Sequence, residues 1–390
     1  MGSRAAQRYE TGLIVEAGAV VALADEWRAL ERRSGSGWNF YQRADWCLTA
    51  LERLEPGASL HVVMARHEGE LVGVWPLMLA GGFWLRRLAP IGGPLVQYAD
   101  ALTDEAHDGD ALADALVDAA LAEPRWDVAT FASVPRSRPL ARALTRRLGR
   151  STAVSASSFQ LDLSGFETPE SYFASLGRLQ KRNRNRRRNH LARLGELSFE
   201  VVWGGEEGFA PLVAQAVAFK REWLVDSRRL SVGLSAKGVE AFLGALGGDA
   251  AAREGAMVSV LRLDGEPIAI ELGFLAQGHY HAYLGAFDPA LAAHSPGKVQ
   301  MDMTVGWLIE AGARCYDLLA NEAEYKQAWT NREQALVSTH HPYTLAGHVY
   351  ARAWLNRLRP ALKSFYGRMP EMARRVMGLG QGLGCLLLYV

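Results

Sequence analysis

The residues able to do chemistry concentrate between 266 and 330. His279, His281 and Tyr283 alternate along one run, so a strand there would turn all three to the same face. Glu271 stands inside the apolar run 268–274, where a carboxylate is costly unless it is paired or used. Both His281 and Glu271 are candidate general bases. An imidazole titrates near neutrality unaided, which makes His281 the first choice, with a hydrogen-bonded strand histidine as the plain alternative. If Gln277 and Gly278 form a two-residue turn, Phe274 falls opposite His281 and Glu271 faces away. The two would then be competing bases, not a dyad, unless a bulge shifts the register.

Downstream, Ser295, Pro296, Gly297 and Lys298 open a helical pattern. Pro is at home in a first turn, and Gly lets a ligand approach the backbone. The free N–H groups of a helix start attract phosphate, and Lys298 adds a cation, so a pyrophosphate-bearing ligand fits. An ordinary Pro-Gly helix start has the same signature. Asp317 ends the next strand pattern, where open α/β sheets place ligands. Tyr325 and Lys326 follow on a short helix, and Asp317 and Lys326 could also be a structural pair. Trp329, one turn after Tyr325, is expected to pack.

These groups need strands and helices to hold them. In the first half, 19–33, 40–54, 111–122 and 138–148 read as helices, and 60–66, 71–80, 126–133 and 152–163 as strands. The second half repeats the order. Helices at 168–194 and 208–226 precede strands 256–263, 266–275 and 279–287, then helix 297–312, strand 315–319, helix 322–330 and strand 335–344. Alternating strands and helices after a hairpin meander indicate α/β units with mixed sheets, duplicated in tandem.

A strand ending in Phe-Asp, then Ser-Pro-Gly, a helix ending in Gly, Tyr-Asp-Leu-Leu and Tyr-Lys-x-x-Trp together resemble an acyltransferase family. It is the one named after cellulose-biosynthesis proteins of the CelD/BcsL type, related to FemAB-like aminoacyltransferases that pair two GNAT folds. The resemblance is strongest over 165–335 and weaker over 15–163, where Tyr98 and Asp100 look like the family's first-half motif. It implies a tandem GNAT-like fold: a degenerate half at 1–164 shaping the acceptor cleft, with Tyr98 and Asp100 as substrate contacts, and an acyl-CoA-binding half at 165–350. Acyl-CoA would bind over 285–298, through Gly285, Ser295, Pro296, Gly297 and Lys298. The Arg/Gln-x-x-Gly-x-Gly/Ala loop of single-domain GNATs is missing, which reduces the N–H cradle.

On that resemblance the reaction is N-acylation by direct attack of an amine on the thioester. His281 or Glu271 would take the amine proton, with Tyr283 and Asp317 beside them. Tyr325 would protonate the thiolate, and Lys326 would hold a phosphate or pair with Asp317. Within the family, bacterial ceramide synthases acylate a sphingoid base. Alternatives are acylation of a polysaccharide or small metabolite, FemAB-like aminoacyl transfer, and an acyl-CoA-binding module without turnover.

Composition narrows the rest. The chain has 390 residues, 49% hydrophobic and 22% charged, enough for two ordinary cores. A net charge of +1 gives no whole-molecule field for nucleic acid, although tRNA stays open through the arginine run. Residues 178–193 hold eight Lys/Arg and no acid. The tail 351–390 mixes cations with Trp, Leu and Phe, as an interfacial amphipathic helix would, so an anionic membrane surface is a further expected partner. Cys47, Cys315 and Cys385 show no metal spacing and fit a reducing compartment. With no signal peptide and no spanning run in view, a cytoplasmic protein is expected, peripheral on the inner membrane if the tail binds there.

Overall fold

The computed structural model describes residues 9–358 except 83, 150–153, 228, 230 and 321–323, together with 361, 364, 365 and 368. The chain forms two compact units. One holds residues up to 157 and takes back the chain from 334; the other is centred on 158–333.

In the first unit a four-stranded sheet runs Glu10–Ile14, Val62–His67, Glu70–Trp75, Leu102–Thr103. A second row of strands runs Arg332–Pro342, Val128–Pro135, Leu85–Pro90, Leu77–Gly82, Ser59–Leu60. The expected single strand 71–80 is therefore two strands in two sheets. Pro76 lies at the break, where a residue without an N–H cannot continue a ladder. Helices Gly109–Leu121 and Pro139–Leu148 bury Leu112, Leu116, Leu140 and Leu144 against Trp75 and Phe131.

The strand Val154–Asp162 (β1) carries the chain into the second unit. There follow helices α1 (Pro169–Ser175) and α2 (Arg178–Leu191), strand β2 (Leu197–Trp203) and helix α3 (Phe209–Asp226). The meander β3 (Glu254–Leu263), β4 (Glu266–Ala276) and β5 (His279–Phe287) comes next. Helix α4 (Pro296–Glu310), strand β6 (Cys315–Ala320) and helix α5 (Glu324–Trp329) complete it. Where one helix is expected over 168–194, the chain breaks at Leu176, whose ψ of 147° is extended, and Gly177 starts the basic helix.

Strand order is β2-β3-β4-β5-β6-β1, antiparallel except for the β5–β6 pair. Residues 268–275 are all buried, so β4 is a central strand with apolar cover on both faces. Helix α4 lies on one face: Met301, Val305 and Leu308 pack with Met257, Leu275, Tyr280 and Tyr316. Beneath it, Gln300 donates to both Ser259 and Thr304 at 2.7 Å, which keeps those buried hydroxyls paired.

Candidate active site

The Gln277-Gly278 turn sets Phe274 opposite His281, as its two-residue length requires. Both turn residues have positive φ, 49° and 74°. One residue is then added to β5: Leu272 pairs with Leu284 but Gly273 pairs with Ala282, so Tyr283 is a bulge. The bulge carries Gly285 onto the face of its partner Glu271.

Two separate polar clusters result. On the α4 face, the Glu271 carboxylate accepts the hydroxyls of Tyr280 at 3.1 Å and Tyr316 at 2.9 Å. The two rings stack with centroids 5.5 Å apart. Gly273 makes the arrangement possible, because a Cβ there would collide with the Tyr280 ring. Burial pushes the Glu271 carboxyl up to about 7, against the two phenol donors that favour its ionised form. A Cβ placed on Gly285 would stand 3.8 Å from Glu271 Oε2, and Gly285 is exposed. A buried carboxyl raised to about 7 therefore lies beside an exposed backbone position.

On the opposite face lie His279, His281 and Asp317. Asp317 Oδ2 takes His279 Nε2 and Gln160 Nε2, each at 3.0 Å, and Oδ1 takes the Leu319 N–H at 2.7 Å. Burial opposes ionisation of Asp317, but His279, His281 and that N–H together hold its carboxyl below the ordinary value. His281 is fully buried, its ring 4.6 Å from that of His279. Tyr283 is half-buried against Phe274, and burial raises its phenol. Cys315 Sγ lies 3.8 Å from His279 Nε2, the same nitrogen that meets Asp317, and burial raises the thiol, so no thiolate nucleophile is set up.

Strands β5 and β6 pair only over 279–281 and 315–317 among the described residues. Beyond that point β6 kinks: Leu319 has φ 64°, a left-handed conformation that leucine rarely adopts. Lys326 on α5 holds the kink, donating to the carbonyls of Leu318, Leu319 and Ala320 at 2.7, 3.3 and 3.1 Å. Its hydrogen bonds thus go to backbone carbonyls, while the Asp317 carboxylate acts on its ammonium electrostatically. Burial moves its amine down to about 8. The backbone of α5 is described, but the Tyr325 side chain lies outside the described residues; Trp329 packs on the core of this unit.

Helix α4 starts as its Pro-Gly opening suggests. Ser295 is its left-handed N-cap, φ 55°, and makes no side-chain cap hydrogen bond; Pro296 is buried and Lys298 is exposed. Pro296 has no N–H, and the Ser295 and Lys298 N–H groups donate to the Ala292 and Ser295 carbonyls at 3.1 Å, so Gly297 supplies the first-turn N–H outside those bonds.

Lys220 is a residue that sequence reasoning missed. From α3 its Nζ donates to the Gly285 carbonyl at 3.0 Å and sits 4.4 Å from the Trp223 ring centroid. Burial and then Arg229 bring its amine down to about 8. The signal was a lysine inside the apolar stretch AVAFKREWLV. In the basic helix α2, Arg184 is drawn inward, 3.4 Å from Asp302 and over the Phe173 ring at 3.3 Å, while Arg182, Arg186 and Arg188 are exposed.

Tyr98 and Asp100 are elsewhere. Both are buried in the first unit, where Asp100 meets Arg138 at 2.7 Å and Tyr98 packs on Trp38. Among the described residues no cluster has the ligands for a metal ion, and no helix is long and apolar enough to cross a membrane.

Residues 178–327 match the family model of an acetyltransferase (GNAT) domain. No curated protein matches the sequence. Among solved structures the chain is similar to FemX, at 12% identity and a TM-score of 0.56, over 88% of this chain and 99% of that one. It is also similar to the C-terminal DUF2156 domain of a candidate lysylphosphatidylglycerol synthetase from Agrobacterium fabrum, at 14% identity and a TM-score of 0.52, over 85% and 94%. A tandem GNAT protein from the clavulanic acid biosynthesis pathway aligns at 13% identity and a TM-score of 0.45, over 86% and 98%. The fold is a tandem GNAT-like, FemX-like α/β arrangement, and its second unit carries an acyltransferase domain.

Proposed function

We propose that this acyltransferase takes its acyl group from acyl-CoA and transfers it to an amine, with Glu271 as the base. The observation that carries the reading is the parting of β5 from β6 after residues 281 and 317, with the start of α4 against the far end of β5, where a Cβ on Gly297 would stand 3.2 Å from the Phe287 ring. Ser295, Gly297 and Lys298 would hold the donor's pyrophosphate through the Ser295 hydroxyl, the Gly297 N–H and the Lys298 cation at the positive end of the helix. The thioester would then reach the exposed backbone at Gly285, whose carbonyl Lys220 fixes.

In the reaction the amine nitrogen forms a bond to the thioester carbon and the C–S bond breaks. The amine proton passes to the Glu271 carboxylate, and the thiolate leaves to be protonated. Tyr325 is the residue proposed for that last step. Glu271 replaces His281 as first choice because it adjoins an exposed backbone position and titrates near 7, whereas His281 is sealed on the other face. Asp317 and Lys326 are positioning residues that shape the end of β6.

For the acceptor we propose a long-chain amine such as a sphingoid base, in keeping with the CelD/BcsL-type resemblance. Incubation with palmitoyl-CoA and sphinganine should release CoA and form an amide. CoA release with small amines alone would remove the lipid acceptor, and no release with any amine would remove the acyl-CoA reading. Aminoacyl transfer is the second reading, favoured by the exposed arginines of α2. Charged tRNA serving as donor where palmitoyl-CoA does not would select it.

A further inference from the structure

We propose that the first unit binds the surface of an anionic lipid bilayer through the hairpin tip at Trp84 and the helical stretch after Thr344. The tip joins Leu77–Gly82 to Leu85–Pro90, and Trp84 is 86% exposed. Leu345 is 81% exposed, and Val349, Leu358 and Phe365 are each more than half exposed. Single exposed apolar residues are ordinary on a protein surface, but these gather on two segments that are tied together.

The ties are specific. Asp127 accepts the Arg86 N–H at 2.8 Å and the Thr344 hydroxyl at 2.6 Å. Arg87 donates to the Tyr350 hydroxyl at 3.0 Å, with its guanidinium over that ring. Both oxygens of Asp127 are engaged by these donors, and Glu55, the other acid near Arg87, is half-buried. Leu345 and Val349 are one turn apart, so they share a side of their helix.

Charge selects the partner. Residues 71–99 and 334–370 together contain seven Lys/Arg and no Asp or Glu, in a chain whose totals are 43 and 42. An exposed Trp beside cations and aliphatic side chains suits the headgroup level of a negatively charged membrane. Leu345 and Val349 offer nucleic acid neither stacking nor charge, whereas a bilayer buries them. The proposal concerns where the enzyme sits and stands apart from the donor and acceptor proposed above.

The test is sedimentation of the full chain with vesicles of phosphatidylcholine, alone or with about one-third phosphatidylglycerol. Binding is expected with the anionic vesicles at roughly 0.1 M salt and its loss at roughly 0.5 M. The double variant Trp84→Ser, Leu345→Ser should partition about tenfold less. Both side chains are so exposed that the thermal melt should not change. If it does, Arg357→Glu, at an exposed position, supplies the reading, with the same direction expected. The proposal is overturned by no binding to anionic vesicles, by equal binding to neutral ones, or by full binding of the variants. Retention on heparin without vesicle binding would assign the surface to another polyanion and overturn it equally.

Discussion

Replacing Glu271 by Gln should lower turnover by roughly 10²–10⁴-fold, the range for a lost general base, while making the protein more stable at pH 8. The two effects share one cause. The carboxyl ordinarily titrates at 4.5 and is raised to about 7 by burial, so the fold favours its protonated form. That contribution to stability is complete below about 4.5 and is lost as pH rises through about 7. Above that, the ionised group costs the native state roughly 3 kcal/mol. Gln cannot ionise, so the variant should gain up to that amount at pH 8 and nothing at pH 4, measured by urea unfolding at both. In the parent enzyme, kcat/KM should rise with pH through about 7, because the base must be ionised to act, and the residual activity of the variant should lack that limb. Unchanged turnover in Glu271→Gln would return the base to the histidine face.

Lys326→Met should be the most destabilising single change in the second unit. It removes one ammonium from three carbonyls at the kinked end of β6 and leaves buried acceptors without donors. At about 1–3 kcal/mol for each unmet group, with partial relief from water, a loss of roughly 3 kcal/mol or more is expected in urea unfolding. Turnover should fall as well, since Leu319 keeps its left-handed φ only while the Lys326 ammonium and the Asp317 carboxylate hold both sides of the kink. Arg would not substitute, because a planar fork cannot meet three converging carbonyls as an ammonium does. Native stability in Lys326→Met would mean that the kink is held by other contacts.

Much of the second unit was legible from local pattern. The strand 279–287 has the expected bounds, since a two-residue turn and period-two alternation fix both its start and its register. Helix α4 starts where Pro and Gly announce it. The site itself was only partly legible. Separating Glu271 from His281 needs only alternation, but the Tyr283 bulge that sets Gly285 beside Glu271 has no local signature. Tyr280 and Tyr316 meet that carboxylate from strands 36 residues apart in sequence, through a parallel pairing that periodicity does not encode. Lys326 was legible as a cation near Asp317, not as the partner of three carbonyls, because backbone acceptors leave no mark in a sequence. Likewise, nothing in the run 335–344 says that its strand pairs with Val128–Pro135. The basic tail beyond 358 lies largely outside the described residues, so the amphipathic reading of 351–390 is carried by its sequence and by the few positions described.

The central claim is that the start of α4 holds the donor's diphosphate, and calorimetric titration of CoA into the protein and into Lys298→Glu tests it most directly. Lys298 is exposed, so charge reversal there should leave the fold intact. The expected result is saturable binding of CoA by the parent and an affinity about 10–100-fold weaker in the variant, as cation and helix dipole no longer act together. Equal affinity in the two proteins, or no binding of CoA by either, would contradict the account.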